Sequence, residues 1–85
     1  MAAQMSVRLT IVSEVERIAK EQKKALAPLA DNLPLIDSGL DSLCFAILVA
    51  RLEDAVGVDP FATAPDGRFP MTFGEFVKFY ENAVA

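Results

Sequence analysis

The chain has 85 residues, which is enough for one hydrophobic core and too few for two. Hydrophobic residues make up 53% and charged residues 24%, a balance typical of a folded globular protein. With no histidine and one cysteine, a single chain cannot build a His/Cys zinc site, a Ser-His-Asp triad or a Cys-His nucleophile. We therefore expect a non-catalytic protein: a monomeric single domain over residues 1–85, with an ordered core at about 6–83.

The net charge of −4 and the single cysteine limit the partners and the cellular compartment that we expect for the protein. An acidic chain is a poor ligand for nucleic acid, because phosphate contacts need clustered Lys and Arg. No apolar stretch is long enough to enter and span a bilayer, and the N-terminus lacks the basic and apolar regions of a secretory signal. One cysteine cannot form an intramolecular disulfide, which fits a reducing compartment. We expect a cytoplasmic protein that does not insert into membranes.

Apolar residues at helical spacing predict a first helix over about residues 6–24. Ile11, Val15 and Ile18 define its buried side. From residue 25 to 41 the breakers Pro28 and Gly39 indicate a long connection that also carries several leucines. A loop so rich in leucine is expected to lie against the core, because its apolar area would otherwise face water.

A second helix is predicted from about Ser42 to Val56, with Asp41 as N-cap and Gly57 as the end. Three prolines in residues 57–71 exclude another long helix, although Asp59 as a cap and Pro60 can begin a single turn. We expect residues 61–70 to be mobile, with Phe61 or Phe69 held against the core; whether residues 57–71 line a pocket stays open.

The last helix is predicted to begin at Thr72, which forms a capping box with Glu75. Its buried side is expected to carry Phe73, Phe76, Val77 and Tyr80. The predicted fold class is therefore all-α, a small bundle of three main helices with room for one short turn in the third position.

The most informative stretch is residues 35–43, Leu-Ile-Asp-Ser-Gly-Leu-Asp-Ser-Leu. Ser42 stands where a long loop enters a helix, near unpaired N–H groups and the positive end of the helix dipole. No base adjoins Ser42 in the sequence, so its hydroxyl is a poor catalytic nucleophile. It is better suited to receive a phosphoryl group supplied by another enzyme.

These residues resemble the acyl carrier protein family, the carrier domains to which phosphopantetheine is attached. The Asp-Ser-Leu of residues 41–43 matches the family's attachment motif within the longer Asp-Ser-Gly-Leu-Asp-Ser-Leu of residues 37–43. The likeness continues through residues 48–53 and resumes at residues 72–76, Thr-Phe-Gly-Glu-Phe, similar to the start of the family's last helix.

The resemblance implies an acyl-carrier-like four-helix fold and a 4′-phosphopantetheine arm attached covalently to Ser42. A separate phosphopantetheinyl transferase would supply the arm from coenzyme A with the help of Mg²⁺, which this chain is not expected to bind stably. Acyl groups would travel as thioesters on the arm, loaded by a ligase or synthase and removed by acyl-transfer enzymes. Asp41 is expected to help present the serine. Such carriers serve fatty acid biosynthesis and other lipid metabolism, polyketide assembly and acylation.

The second helix departs from the family pattern on its outer face. Winding at 100° per residue assigns Phe45, Leu48, Val49, Leu52 and Val56 to the core. The same winding places Leu43, Ala46, Ile47, Ala50 and Asp54 on the opposite side, flanked by Glu53 and Arg51. We expect this side, with Asp41 at its start and Glu53 included, to be a partner-docking face, and it carries fewer acids than is typical of the family.

This acid-poor face favours a specialised carrier whose partners dock through apolar contact more than through charge. Cys44 is expected to be partly exposed and chemically inert. Two other functions remain open, a peptidyl or aminoacyl carrier and an unmodified helical protein-interaction module, and the sequence names no acyl group or pathway.

Overall fold

The computed structural model describes residues 6–63 and 69–84, which form four helices and a short 3₁₀ turn. The helices are α1 (Val7–Glu21), α2 (Ser42–Val56), α3 (Pro60–Thr63) and α4 (Phe73–Val84), and the 3₁₀ turn is Leu35–Asp37. The described ranges contain no β-strand and one isolated antiparallel bridge, between Pro34 and Thr72. The all-α fold with a short third helix is confirmed. Within these ranges, no helix combines the length and the apolar character needed to cross a membrane.

The ends of the helices follow local capping chemistry. The Ser6 hydroxyl accepts a hydrogen bond from the Leu9 N–H at 3.0 Å and begins α1. The helix ends earlier than the predicted residue 24 because Lys23 adopts a left-handed conformation, with φ of 57°. Gly57 ends α2 with φ of 80°, and its N–H bonds to the Glu53 carbonyl at 2.8 Å.

The two later helices also begin at the predicted caps. The Asp59 carboxylate accepts hydrogen bonds from the first N–H groups of α3, at 3.1 and 3.3 Å. At α4 the Thr72 hydroxyl accepts from the Glu75 N–H at 3.2 Å, and the Glu75 carboxylate accepts from the Thr72 N–H at 3.3 Å, which confirms the capping box.

The core lies where α1 packs against α2 and α4. Its buried side chains come from all three long helices and from one loop residue: Ile11, Val15, Ile18, Ala19, Leu40, Cys44, Leu48, Leu52, Phe73, Phe76, Val77 and Tyr80.

The buried stripe of α2 is rotated from the predicted one. Its fully buried residues are Cys44, Leu48 and Leu52, each one turn after the last. The predicted exposure of Cys44 is therefore wrong, because the side chain is 0% exposed and belongs to the core. The prediction of Ile47 on the outer face is also wrong, because Ile47 is half-buried and packs against the core.

The remaining residues assigned to the core side of α2 lie at the edge of that stripe. Phe45, Val49 and Val56 are half-buried, and Phe45 and Val56 pack against the core. On the opposite edge Arg51 turns towards α1, where its guanidinium bonds to the Glu21 carboxylate at 2.7 and 3.3 Å. Arg51 therefore holds two helices together and does not face outwards.

The long connection lies against the core, as predicted from its leucines. Four of them are partly buried against the core and Leu40 is buried, whereas Ile36 is 87% exposed. The Leu35 N–H bonds to the Met71 carbonyl at 2.9 Å, and the Phe73 N–H bonds to the Leu33 carbonyl at 2.8 Å. These two bonds hold the loop before α2 beside the segment that leads into α4.

Candidate functional site

Ser42 is the first residue of α2 and is exposed to solvent. The first N–H groups of a helix have no acceptor within the helix, and the dipole makes this end positive. At α2 the Cys44 N–H donates to the Asp41 carboxylate and the Phe45 N–H to the Asp41 carbonyl, at 2.9 and 3.1 Å. The N–H groups of Ser42 and Leu43 have no acceptor inside the helix, so this end can stabilise an anion attached at Ser42.

Asp41 caps α2 and also forms a salt bridge outside the helix. Its Oδ1 accepts from the Cys44 N–H, and its Oδ2 lies 2.9 Å from the Lys24 ammonium. The hydrogen bond from Lys24 is the main reason that the pKa of the Asp41 carboxyl lies far below its usual range, and the Cys44 bond adds to the effect. The same hydrogen bond raises the pKa of Lys24. Asp41 therefore carries its negative charge throughout the physiological pH range.

The turn before Ser42 is fixed by close packing. Gly39 has φ of 99°, and a β-carbon at this position would overlap the carbonyl oxygen of Ala25. Ser38 is 2% exposed, and its hydroxyl donates to the Leu35 carbonyl at 2.7 Å and accepts from the Leu40 N–H at 3.3 Å. Because these contacts hold both sides of Gly39, Ser42 is presented from a well-defined loop.

An apolar groove of about 660 Å³ opens beside Ser42. This volume falls within the range of about 300–1,000 Å³ that is usual for small-molecule sites. Asp41 and Ser42 stand on its lining, and nearly all the rest is hydrocarbon. One side comes from Leu35, Ile36 and Leu40 of the loop and from Phe45, Ala46 and Val49 of α2; the other comes from Phe61, Phe69, Pro70 and Phe76.

Phe61 organises the far wall of the groove. Its ring stacks on Phe69 with centroids 5.4 Å apart and meets the edge of Phe79 at 5.0 Å. Phe76 and Tyr80 lie 6.0 and 6.1 Å from the same ring. The prediction that Phe61 or Phe69 is held to the core is met by Phe61, whereas Phe69 is 71% exposed. Within the stretch predicted to be mobile, residues 64–68 lie outside the described residues.

The outer face of α2 retains most of the residues predicted to dock partners. Leu43 is 58% exposed, and Ala46 and Ala50 are also exposed. The acids of this face, Asp41, Glu53 and Asp54, are exposed as well. Ile47 is less accessible than these residues, because it is half-buried and packs against the core. The docking role of all these residues stays a prediction.

Two features of the site escape sequence reasoning. Lys24 lies 17 residues before Asp41 in the sequence, and only the folded chain brings the two side chains together. The groove is not predictable from the sequence pattern, because its two walls come from segments separated by more than ten residues of chain. A signal for it did exist in the phenylalanines at 45, 61, 69 and 76, but their spacing fits no single helix face.

The comparisons with known proteins assign the chain to a family. The model of the family described as "Phosphopantetheine attachment site" matches residues 9–64, which include the end of the long loop and all of α2. The searches against curated proteins and solved structures find no significant match. Since the matched range covers more than half of the sequence, the chain belongs to the phosphopantetheine-attachment family, as its resemblance to acyl carrier proteins implies.

Membership supports a phosphopantetheine-carrier role for the protein. Domains of this family are non-catalytic carriers that are themselves modified with 4′-phosphopantetheine and interact with phosphopantetheinyl transferases and acyl-handling enzymes. The described residues fit the group, because an exposed serine hydroxyl stands at a helix N-terminus that can stabilise a phosphodiester. The adjoining groove is large and apolar enough for an acyl chain.

Proposed function

We propose that Ser42 is the attachment point of 4′-phosphopantetheine and that the protein carries acyl thioesters on this arm. The observation that carries the proposal is the position of Ser42, exposed at the start of α2 and on the lining of the apolar groove. Once bound, the arm supplies a terminal thiol that accepts acyl groups. The chain contributes the hydroxyl, the positive helix end that stabilises the phosphodiester and the groove beside it.

The groove is the proposed resting place of the acyl chain between encounters with enzymes. The transfer of an acyl chain from water into a hydrocarbon-lined groove is favoured by a free energy of about 0.8 kcal/mol for each methylene that becomes buried. The thioester at the mouth of the groove would then be partly shielded from water. An apolar lining of this kind favours a fatty acyl or reduced polyketide chain over an aminoacyl group, whose ammonium would lose its hydration there.

The proposed partners are a phosphopantetheinyl transferase, an acyl-loading ligase or synthase, and acyl-transfer enzymes. The docking face of α2 is proposed to consist of Leu43, Ala46 and Ala50, with the exposed acids Asp41, Glu53 and Asp54 around them. Its apolar centre supports a specialised lipid, polyketide or acylation pathway over the central fatty acid pathway. A cytoplasmic location is proposed, because coenzyme A and the transferase must reach Ser42.

Intact mass spectrometry tests the attachment. Purified apo protein is incubated with coenzyme A, Mg²⁺ and a broad-specificity phosphopantetheinyl transferase, beside the Ser42→Ala variant. We expect the wild type to gain the mass of one arm and the variant to gain none. Full modification of a known carrier beside an unmodified wild type would contradict the proposal and favour an unmodified interaction module.

A further inference from the structure

The turn that follows α1 fixes the backbone of Lys24. The Lys24 N–H bonds back to the Ala19 carbonyl at 2.8 Å, and the Lys23 N–H bonds to the Lys20 carbonyl at 3.3 Å. With Lys23 left-handed at φ of 57°, this pair of bonds is the Schellman arrangement that closes a helix. The backbone of Lys24 is therefore held at a set position relative to α1.

From this position Lys24 engages the motif acid next to Ser42. Its ammonium lies 2.9 Å from Oδ2 of Asp41, while Oδ1 of the same carboxylate accepts from the Cys44 N–H at 2.9 Å. Both oxygens of Asp41 thus have partners within the chain. The two side chains are nevertheless 34% and 48% exposed, so that another protein can reach the pair.

Access to Ser42 brings an enzyme into contact with this pair. Asp41 directly precedes Ser42, and both residues lie on the lining of the same groove. A half-exposed carboxylate at such a place attracts a lysine or arginine of an approaching enzyme. In the free carrier, however, a cation of the same chain already occupies Oδ2.

We propose that Lys24 is a specificity-determining residue that competes with basic side chains of the modifying enzyme for Asp41. The inference rests on the proposed attachment at Ser42. A cation of an enzyme that approaches Oδ2 of Asp41 is repelled by the Lys24 ammonium or must displace it, and only an enzyme with well-placed cations recovers the lost contact. Lys24 thereby lowers the rate with weakly matched transferases and favours a partner whose basic residues fit Asp41.

Steady-state kinetics of transfer from coenzyme A to the apo protein test this competition. Surface ion pairs change an equilibrium by a factor of about 1.5 to 5, so we expect Lys24→Met to raise kcat/KM by that factor, mainly through a lower KM. Lys24→Arg retains the charge and is expected to restore the wild-type value. The gain should shrink in about 1 M salt, where the Debye length is about 3 Å.

Two controls separate the competition from other effects. Lys23→Met makes the same change in net charge one residue away, and we expect it to stay near the wild-type rate. In an Asp41→Asn background, Lys24→Met should give no gain, because the contested carboxylate is gone. Unfolding temperatures of all variants are measured beside the rates, and we expect them to agree closely because the bridge is exposed.

The outcomes distinguish this inference from the function on which it rests. A modified wild type with an unchanged or lower kcat/KM for Lys24→Met would overturn the competition alone. An equal gain from Lys23→Met would overturn it too, because net charge would then account for the effect. A wild type that is never modified would overturn the proposed attachment and the competition together.

Discussion

Gly39 shows how strongly one residue constrains the loop that presents Ser42. Its φ of 99° is rarely adopted by residues with a side chain, and its α-hydrogen faces the Ala25 carbonyl where a β-carbon would overlap. Gly57 has a similar φ of 80° but no atom within 4 Å of the place where its β-carbon would stand. Both glycines therefore adopt a left-handed backbone conformation, but only Gly39 lies in close contact with another residue.

This difference predicts unequal losses of stability. Gly57→Ala is expected to lower the free energy of unfolding by about 1–2 kcal/mol, the cost of a left-handed backbone with a side chain. Gly39→Ala should lose about 1–3 kcal/mol more, because the loop must shift to remove the overlap. Urea unfolding followed by circular dichroism measures both, and equal losses would show that the contact with Ala25 is not a constraint.

At the scale of elements, the bounds of α2 are predictable from sequence and its orientation is not. Asp41 and Gly57 act through bonds to neighbouring backbone groups, so their effect is visible in the sequence. Which side of α2 is buried depends on α1 and α4. Cys44 is small enough to lie on either side of the helix. The packing of α1 against α2 buries Cys44 in the core and leaves Ile47 half-buried against it.

The outer face of α2 permits a matched test of docking. Leu43 on this face and Leu9 on α1 are both 58% exposed. Replacing either leucine with glutamate therefore makes the same change in charge and a similar change in exposed apolar area. If enzymes dock on α2, Leu43→Glu should lower kcat/KM for modification of Ser42 by about fivefold or more, the effect of one important contact. Leu9→Glu should leave it unchanged.

Both variants are checked by thermal unfolding, since a change in folding would obscure the comparison. A glutamate in the first turn of α2 suits the helix dipole, and Leu43→Glu is therefore expected to fold normally. Equal rates for the two variants would remove Leu43 from the docking face.

The groove depends on the fold of the whole molecule, because its walls are segments that lie far apart in the sequence. The loop at residue 35, α2, Phe61 and the segment at residues 69–70 form its lining together. The bonds that bring Leu33 and Leu35 beside Phe73 and Met71 join parts of the chain more than thirty residues apart. Helical periodicity reports only on neighbours along the chain, which is why the groove could not be derived from it.

A charge inside the groove tests whether it holds the acyl chain. We expect the thioester of a ten-carbon chain on the wild type to hydrolyse more slowly than an acetyl thioester, because the longer chain reaches into the groove. Val49→Arg should abolish most of this difference, since the guanidinium disfavours an apolar neighbour. Ala55→Arg, on an exposed position of α2 that does not line the groove, should preserve it.

The rates are measured by mass spectrometry at fixed pH, with circular dichroism to verify that both variants fold. Equal protection in Val49→Arg and Ala55→Arg would place the acyl chain elsewhere.

Fragmentation of the modified protein directly tests whether the arm is attached to Ser42. The wild type is modified with coenzyme A and a transferase, digested, and sequenced by tandem mass spectrometry, beside Ser42→Ala and the exposed-serine control Ser13→Ala. We predict one phosphopantetheine group on Ser42 in the wild type and in Ser13→Ala, and none in Ser42→Ala. An arm found on another residue, or retained in Ser42→Ala, would contradict attachment at Ser42.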